Sequence, residues 1–382
     1  MDVTHYDIRL RVDPYKQTIG GKVIISFMLI GRAEKIEIDL LDQYHVSGVS
    51  VNGMNLSFKH EEHKILIENP DFELFKSHRL EIKYSGKPPV AKKPPWDGGF
   101  TWEKSKNGHP WIAMSCQNNG AYIWYPCKEH PSDKPDGVDI FITVPDPLMV
   151  AANGLIQSIH PEGDKWTTWH WRTEYPISTY NVNFTAGYFE VVEKTAYILD
   201  KPLKLAYYVL PEKRNGANEL LNDAEEYLNF YARNFGQYPW MKEKFGLVHT
   251  PYWGMEHQTI NAYGNQYRKD HVGYDWLLQH ELAHEWFGNQ LTNVNWDDMW
   301  LHEGLGTYMQ PLYTRWLNGE QYYQAALLEQ RLGLANRFPV VSGSALTEEQ
   351  VYEGDQGPGN DIYYKGSLIM HSLRMLIGDE DF

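Results

Sequence analysis

Cysteine is scarce in this chain, whose 382 residues contain only Cys116 and Cys127. Two thiols exclude a disulfide framework as the source of stability at this length. They could pair with each other, but two buried free thiols is the simpler reading. Long hydrophobic runs are missing too. No stretch approaches the roughly 18 apolar residues that cross a bilayer, and no charged segment followed by an apolar one stands at the N-terminus. The sequence therefore carries no transmembrane segment and no signal peptide in this numbering. A soluble protein is expected, and both a cytoplasmic location and an extracytoplasmic one with a removed presequence stay open. Positive charge is also in short supply: 35 Lys and Arg face 50 Asp and Glu, for a formal net charge of −15. A surface of that sign repels a phosphate backbone unless a basic stripe is concentrated somewhere, which argues against a nucleic-acid partner. The densest basic run, Lys87, Lys92 and Lys93 among prolines, reads as a solvated loop. No internal repeat is visible.

What is present is the material of a folded protein, with 42% apolar and 14% aromatic residues over a length that suggests two domains, or three. The first half reads as strands: 5–12, 22–30, 35–40, 64–69, 79–84, 138–144 and 167–175 are short runs, most of them alternating with period 2. An all-β unit over 1–193 is the economical description. The pattern then changes. After a strand-like 203–210, the run 218–235 sets Leu220, Leu221, Ala224, Tyr227, Leu228 and Tyr231 at helical spacing, with Gly236 as a stop signal. Further helical patterns cover 274–287, 300–317, 320–336 and 363–377, so a mixed α/β unit is expected over 194–382. The last pattern stops where another element is due, which predicts that the natural chain continues past Phe382.

Chemistry concentrates in the stretch "QHELAHEWFGNQ" at 279–290. On a helix His280 and His284 share a face, where both imidazoles reach one ion at about 2.0–2.1 Å. Glu281 lies about 100° further round, where it can hold a metal-bound water without ligating the metal. A third ligand is offered by Glu303, 18 residues beyond His284. That interval lets the first helix end at Gly288–Asn289 and a second present Glu303 in its opening turn, where the helix dipole favours a carboxylate. Three protein ligands with an open fourth position describe a catalytic zinc rather than a structural one. An ordinary helix with surface histidines is the plainer alternative, but Leu282, Ala283, Trp286 and Phe287 indicate a buried helix, where unpaired polar groups are expensive. Zinc lowers the pKa of its water toward about 7, and Glu281 is placed to take the proton and pass it to a leaving amine. An oxyanion donor is still needed, and "DIYYKG" offers Tyr363 or Tyr364. Asp297 and Asp298 are candidates to accept the histidines' other N–H groups.

Together with Glu303 in "WLHEG", "HELAHEW" resembles a motif of the zinc aminopeptidases typified by aminopeptidase N and leukotriene hydrolase, as do "PYWGMEH" at 251–257 and "YYKG" at 363–366. The resemblance extends to "HYDIRLRVDP", "SCQ", "WYPCKEHPS" and "FGQYPW", and so spans nearly the whole chain. It implies a thermolysin-like zinc metallopeptidase domain behind the all-β domain, with one zinc ion held by His280, His284 and Glu303 and with Glu281 as general base. It also implies Tyr363 as oxyanion stabiliser, and Glu256, helped by Gln117, as holder of a peptide substrate's free α-amine, with Tyr252, Gly254 and Met255 in the same binding element. A protonated amine held at a fixed distance from the metal places only the first peptide bond over it. This sequence departs from the family at Trp253, where glycine is usual, at His257 and His302, where asparagine is common, and in lacking the helical C-terminal domain. His257 is not needed as a ligand, and His302 reads as a packing or supporting residue. The reading is a zinc aminopeptidase; the alternatives are an epoxide hydrolase like leukotriene hydrolase and a non-catalytic peptide-binding module, against which the presence of Glu281 and Tyr363 argues.

Overall fold

The computed structural model describes residues 1–68, 72–117, 120–355 and 357–382. Among the described residues two large hydrophobic cores form, one under the N-terminal strands and one under the later helices, with a small third cluster of Met299, Val351 and Ile362.

The N-terminal unit is strand-rich, as expected. At the middle of an eight-stranded sheet the strand Asp2–Asp13 pairs antiparallel with Thr18–Met28 and parallel with Gly137–Pro145. Its alternation sends Tyr6, Ile8, Leu10 and Val12 inward, beside Val23, Ile25 and Phe27 of the neighbouring strand. The expected run 64–69 is the strand Lys64–Glu68, and Asn69 lies outside the described residues. Strands without an alternating pattern escaped the sequence reading for a physical reason. Phe184–Gly187 is buried at every position and Pro110–Ser115 at its last four, so neither shows a polar face that would betray it. Cys116 and Cys127 are both buried and unpaired.

The second unit begins in the strand Glu190–Ile198, which spans the expected division at 193/194 and pairs along its whole length with Lys201–Val209. Lys244–His249 and Asn261–Tyr263 follow in parallel, and Gly254–Met255 forms the edge of this five-stranded sheet. Among the described residues six α-helices follow, α1 (Ala217–Phe235), α2 (Trp276–Ala283), α3 (Trp300–Asn318), α4 (Glu320–Leu332), α5 (Glu348–Tyr352) and α6 (Asp361–Ile377); α1 and α2 pack on the sheet, and α3 joins α2 to α4 and α6. Helix α1 buries the stripe its periodicity requires. Helices α3 and α6 cross at a pair of glycines, where a Cβ on Gly304 would lie 2.7 Å from Cα of Gly366. That close approach carries the opening turn of α6 toward α2. Among the described residues no helix is long and apolar enough to cross a membrane.

Candidate active site

Helix α2 starts at Asp275, whose carboxylate caps the backbone N–H of Leu278 at 3.1 Å. It ends at Ala283 rather than at Gly288–Asn289, but His284 keeps helical dihedrals, with φ −65° and ψ −17°. The two histidines therefore still face the same way, with Nε2 atoms 3.3 Å apart. Glu303, in the opening turn of α3, brings Oε2 to 3.7 Å from His280 Nε2 and 3.4 Å from His284 Nε2. A tetrahedral ion with ligand bonds of about 2.0–2.2 Å has ligand–ligand edges of about 3.3–3.6 Å, close to this triangle. The chemistry of the donors also fits a cation. Glu303 Oε1 accepts from Tyr352 Oη at 2.8 Å, whereas Oε2 is buried between the imidazoles with no hydrogen-bond partner among the described residues. Burial raises the Glu303 carboxyl, but His284 and then His280 outweigh it and hold the group down at about 2. Burial alone would lower His284; Glu303, the first of its acidic neighbours, lifts it to about 10. His280 stays at about 4, chiefly through burial.

The supporting contacts differ from expectation. His284 Nδ1 points to the main-chain oxygen of Phe287 at 2.9 Å, which aims Nε2 at the cluster. Among the described residues neither Asp297 nor Asp298 bonds to either histidine; Asp297 accepts from the backbone N–H groups of Ser342 and Gly343 at 2.9 and 2.8 Å. The loop after α4 claims that carboxylate. His302 is buried and accepts the Asn293 N–H at 3.0 Å, a packing role.

Glu281 lies against the edge strand. A Cβ on Gly254 would meet its carboxyl carbon at 2.8 Å, so a larger residue here would displace the carboxylate from this position. Burial, and then the nearby Glu256, push the Glu281 carboxyl well above the usual carboxylate range. Glu256 is itself buried, and its Oε1 accepts from Gln117 Nε2 at 3.2 Å and Tyr180 Oη at 3.1 Å. Gln117 Nε2 also lies 3.5 Å from Glu303 Oε1. The carboxylates of Glu256 and Glu303 are therefore within reach of one amide group. Tyr363 stands in the first turn of α6 with its ring 6.2 Å from that of His280, while Tyr364 turns to an exposed cavity beside Trp276 and Gln310. The structure thus brings His280, His284, Glu303, Glu281, Tyr363, Glu256, Gln117 and Gly254 together. Tyr252 and Met255 point the other way: Tyr252 Oη donates to Met114 O at 2.9 Å, and Met255 packs into the N-terminal core. His257 is buried apart from the cluster, accepting from Asn183 Nδ2 at 3.1 Å.

Three participants had escaped notice. Tyr352 and Tyr180 are single tyrosines among 26, with no motif to mark them. Glu285, next to His284, is fully buried and accepts from Trp240 Nε1 at 2.8 Å, Thr259 N at 3.0 Å and Asn289 Nδ2 at 3.1 Å. Because Asn289 Nδ2 also donates to the main-chain oxygen of Glu256 at 2.8 Å, this carboxylate ties the end of α2 to the loop that carries Glu256. Burial lifts it to about 7. A glutamate following the second histidine was the one available signal.

Comparison with known proteins identifies the family and the fold. Residues 3–181 match the peptidase M1 N-terminal domain and residues 219–382 the peptidase family M1 domain. Leucine aminopeptidase 2 of Candida glabrata is 26% identical over 398 aligned positions, a match that covers all of this chain and 58% of the relative. The chain thus spans under two thirds of that relative's length. An M1 zinc metallopeptidase from Deinococcus radiodurans, solved as a variant bound to a Tyr-Ser-Ala substrate, superposes with a TM-score of 0.81 at 23% identity, covering 99% of this chain and 84% of the other. Leukotriene hydrolase from Saccharomyces cerevisiae gives 0.77 at 20% identity, covering 99% and 59%. At those identities the two structures speak for the fold.

Proposed function

The chain belongs to the peptidase M1 family, and on that premise we propose that it is a zinc-dependent aminopeptidase acting on peptides with a free N-terminal amine. His280, His284 and Glu303 hold one zinc ion, which supplies Lewis acidity for activating water and polarising a carbonyl when bound. Glu281 takes the proton of the attacking water and returns it to the departing amine, a task suited to a buried carboxyl with a raised pKa. Tyr363 donates to the oxygen that gains charge, and Glu303 is kept in place by Tyr352. Glu256, with Gln117 and Tyr180 around it, receives the substrate's ammonium group. In this reading the β unit, residues 1–193, contributes Gln117 and Tyr180, and the catalytic unit, 194–382, contributes the rest.

One observation carries the proposal: Gln117 Nε2 lies within 3.5 Å of carboxylate oxygens on both Glu256 and Glu303. An amine anchored at the first carboxylate leaves room for a single residue before the ligand cluster, which selects an exopeptidase. That spacing is why the reading is preferred to an epoxide hydrolase or a non-catalytic binder. The test is a panel of aminoacyl arylamides and matched N-acetylated peptides offered to the zinc-loaded protein, to Glu281→Gln, and to the chelated protein. Turnover of free-amine substrates by the first alone is expected. Equal cleavage of acetylated and free peptides would sink the exopeptidase part.

A further inference from the structure

The edge strand and α2 run side by side in opposite directions, and their contacts order the cleft. Past the C-terminal end of α2, Asn289 holds the main-chain oxygen of Glu256. In the middle Gly254 abuts Glu281. At the near end the indole of Trp253, 52% exposed, packs against Trp276 with ring centroids 5.5 Å apart. Trp276 precedes His280 by four residues, so the two share a face of α2 about 6 Å apart along its axis. Glu256 marks where a substrate begins, and the ligand cluster marks its first peptide bond. A substrate extended along the edge strand from Glu256 past the ligand cluster would continue toward the two tryptophans.

About half of the Trp253 side chain stays open to solvent, leaving a ring face on which an apolar group can settle. We propose that Trp253 and Trp276 form an aromatic platform that selects a large apolar or aromatic side chain at the substrate's second residue, on the leaving side of the scissile bond. This rests on the aminopeptidase reading and assigns that site a specificity beyond it. Edge-to-face and offset contacts with two indoles suffice for about a tenfold preference over glycine.

The experiment compares Ala-Phe-Ala with Ala-Gly-Ala on the zinc-loaded full-length protein, following release of the first alanine. The wild type is expected to show kcat/KM about tenfold higher for the phenylalanine peptide. Trp253→Gly should bring the ratio near one, and Trp276→Phe, which keeps a ring at the start of α2, should lower it in part. A wild type without preference overturns the proposal, and so does a loss in Trp253→Gly that is equal for both peptides, because a merely structural role lowers every substrate alike. A shift in preference at the first residue, read with Leu-Gly-Ala against Ala-Gly-Ala, also overturns it. If the wild type turns over no free-amine peptide, the aminopeptidase reading fails by itself. Calorimetric Kd values for the two peptides on zinc-loaded Glu281→Gln then decide the platform: a ratio that disappears with Trp253 upholds it, and equal affinities overturn it.

Discussion

The metal end of the cleft comes from one stretch of chain, whereas the amine end is assembled across the seam between the two units. His280, Glu281, His284 and Glu303 follow one another through α2 and the first turn of α3. Glu256 depends instead on Gln117 and Tyr180, which lie 139 and 76 residues away in sequence. The seam beneath it is apolar with polar ties: Val248, Met255 and Ile260 join the N-terminal core, Lys244 Nζ donates to the main-chain oxygens of Ala152 and Gly154, and Trp111 Nε1 donates to that of His249 at 3.1 Å. A local helix can thus set the metal triangle, but only correct docking of the β unit sets the distance from the metal to the amine. Under the proposed function, chemistry and exopeptidase specificity are therefore expected to be separable.

The largest expected effect tests the local end. Glu281→Gln should lower kcat on an aminoacyl arylamide by about 10³- to 10⁴-fold while elemental analysis finds the zinc retained, because the variant loses the base and no ligand. Loss of the metal along with activity would show that the two ends are not separable as described. At the amine end, Glu256→Gln should lower kcat/KM by about 100-fold, mostly through KM, and should narrow the gap between free and acetylated peptides. Gln117→Ala should do the same by a few-fold only. A kcat effect as large as that of Glu281→Gln would refute the separation.

A subtler variant bridges the ends. Tyr352→Phe removes the hydroxyl that holds Glu303 Oε1, and zinc affinity measured by competition with a chelator should weaken about tenfold. The smallest effect reports on the seam. Burial holds His249 down to about 4, so between pH 6.5 and 4 the unfolded chain takes up a proton that the folded one refuses. Its contribution is intact above pH 6.5 and is lost as the pH falls. The Tm of wild type should therefore decline relative to that of His249→Gln between pH 7.5 and 5, by a few degrees. Parallel pH profiles would remove His249 from the seam's account.

Legibility divides along the same line. The α2 ligands could be read because four-residue spacing dictates a shared helical face whatever the surroundings, and Glu303 because a helix opening favours a carboxylate. Asp297 and Asp298 read as candidates to support the histidines, with a solvated loop acid the plainer reading for at least one; Asp297 is instead claimed by the backbone of residues 342–343. Nothing local announces that competition. The strand Lys244–His249 was likewise invisible, since burial of all six residues removes the alternation on which strand reading depends.

The sequence by itself determined the two-unit order, the amphipathic helices and the triangle of His280, His284 and Glu303, because each follows from periodicity within a few turns of chain. Only the tertiary structure decided that Tyr352 braces Glu303, that Tyr180 and Gln117 close on Glu256, that Glu285 ties the helix end to the amine loop, and that Tyr363 rather than Tyr364 faces the metal ligands. The physical reason is that such contacts join residues up to 139 apart, and their geometry is set by how sheets and helices pack around two cores. A glycine pair that lets α3 and α6 touch, or a glycine that admits Glu281, has meaning only once the opposing element is in place.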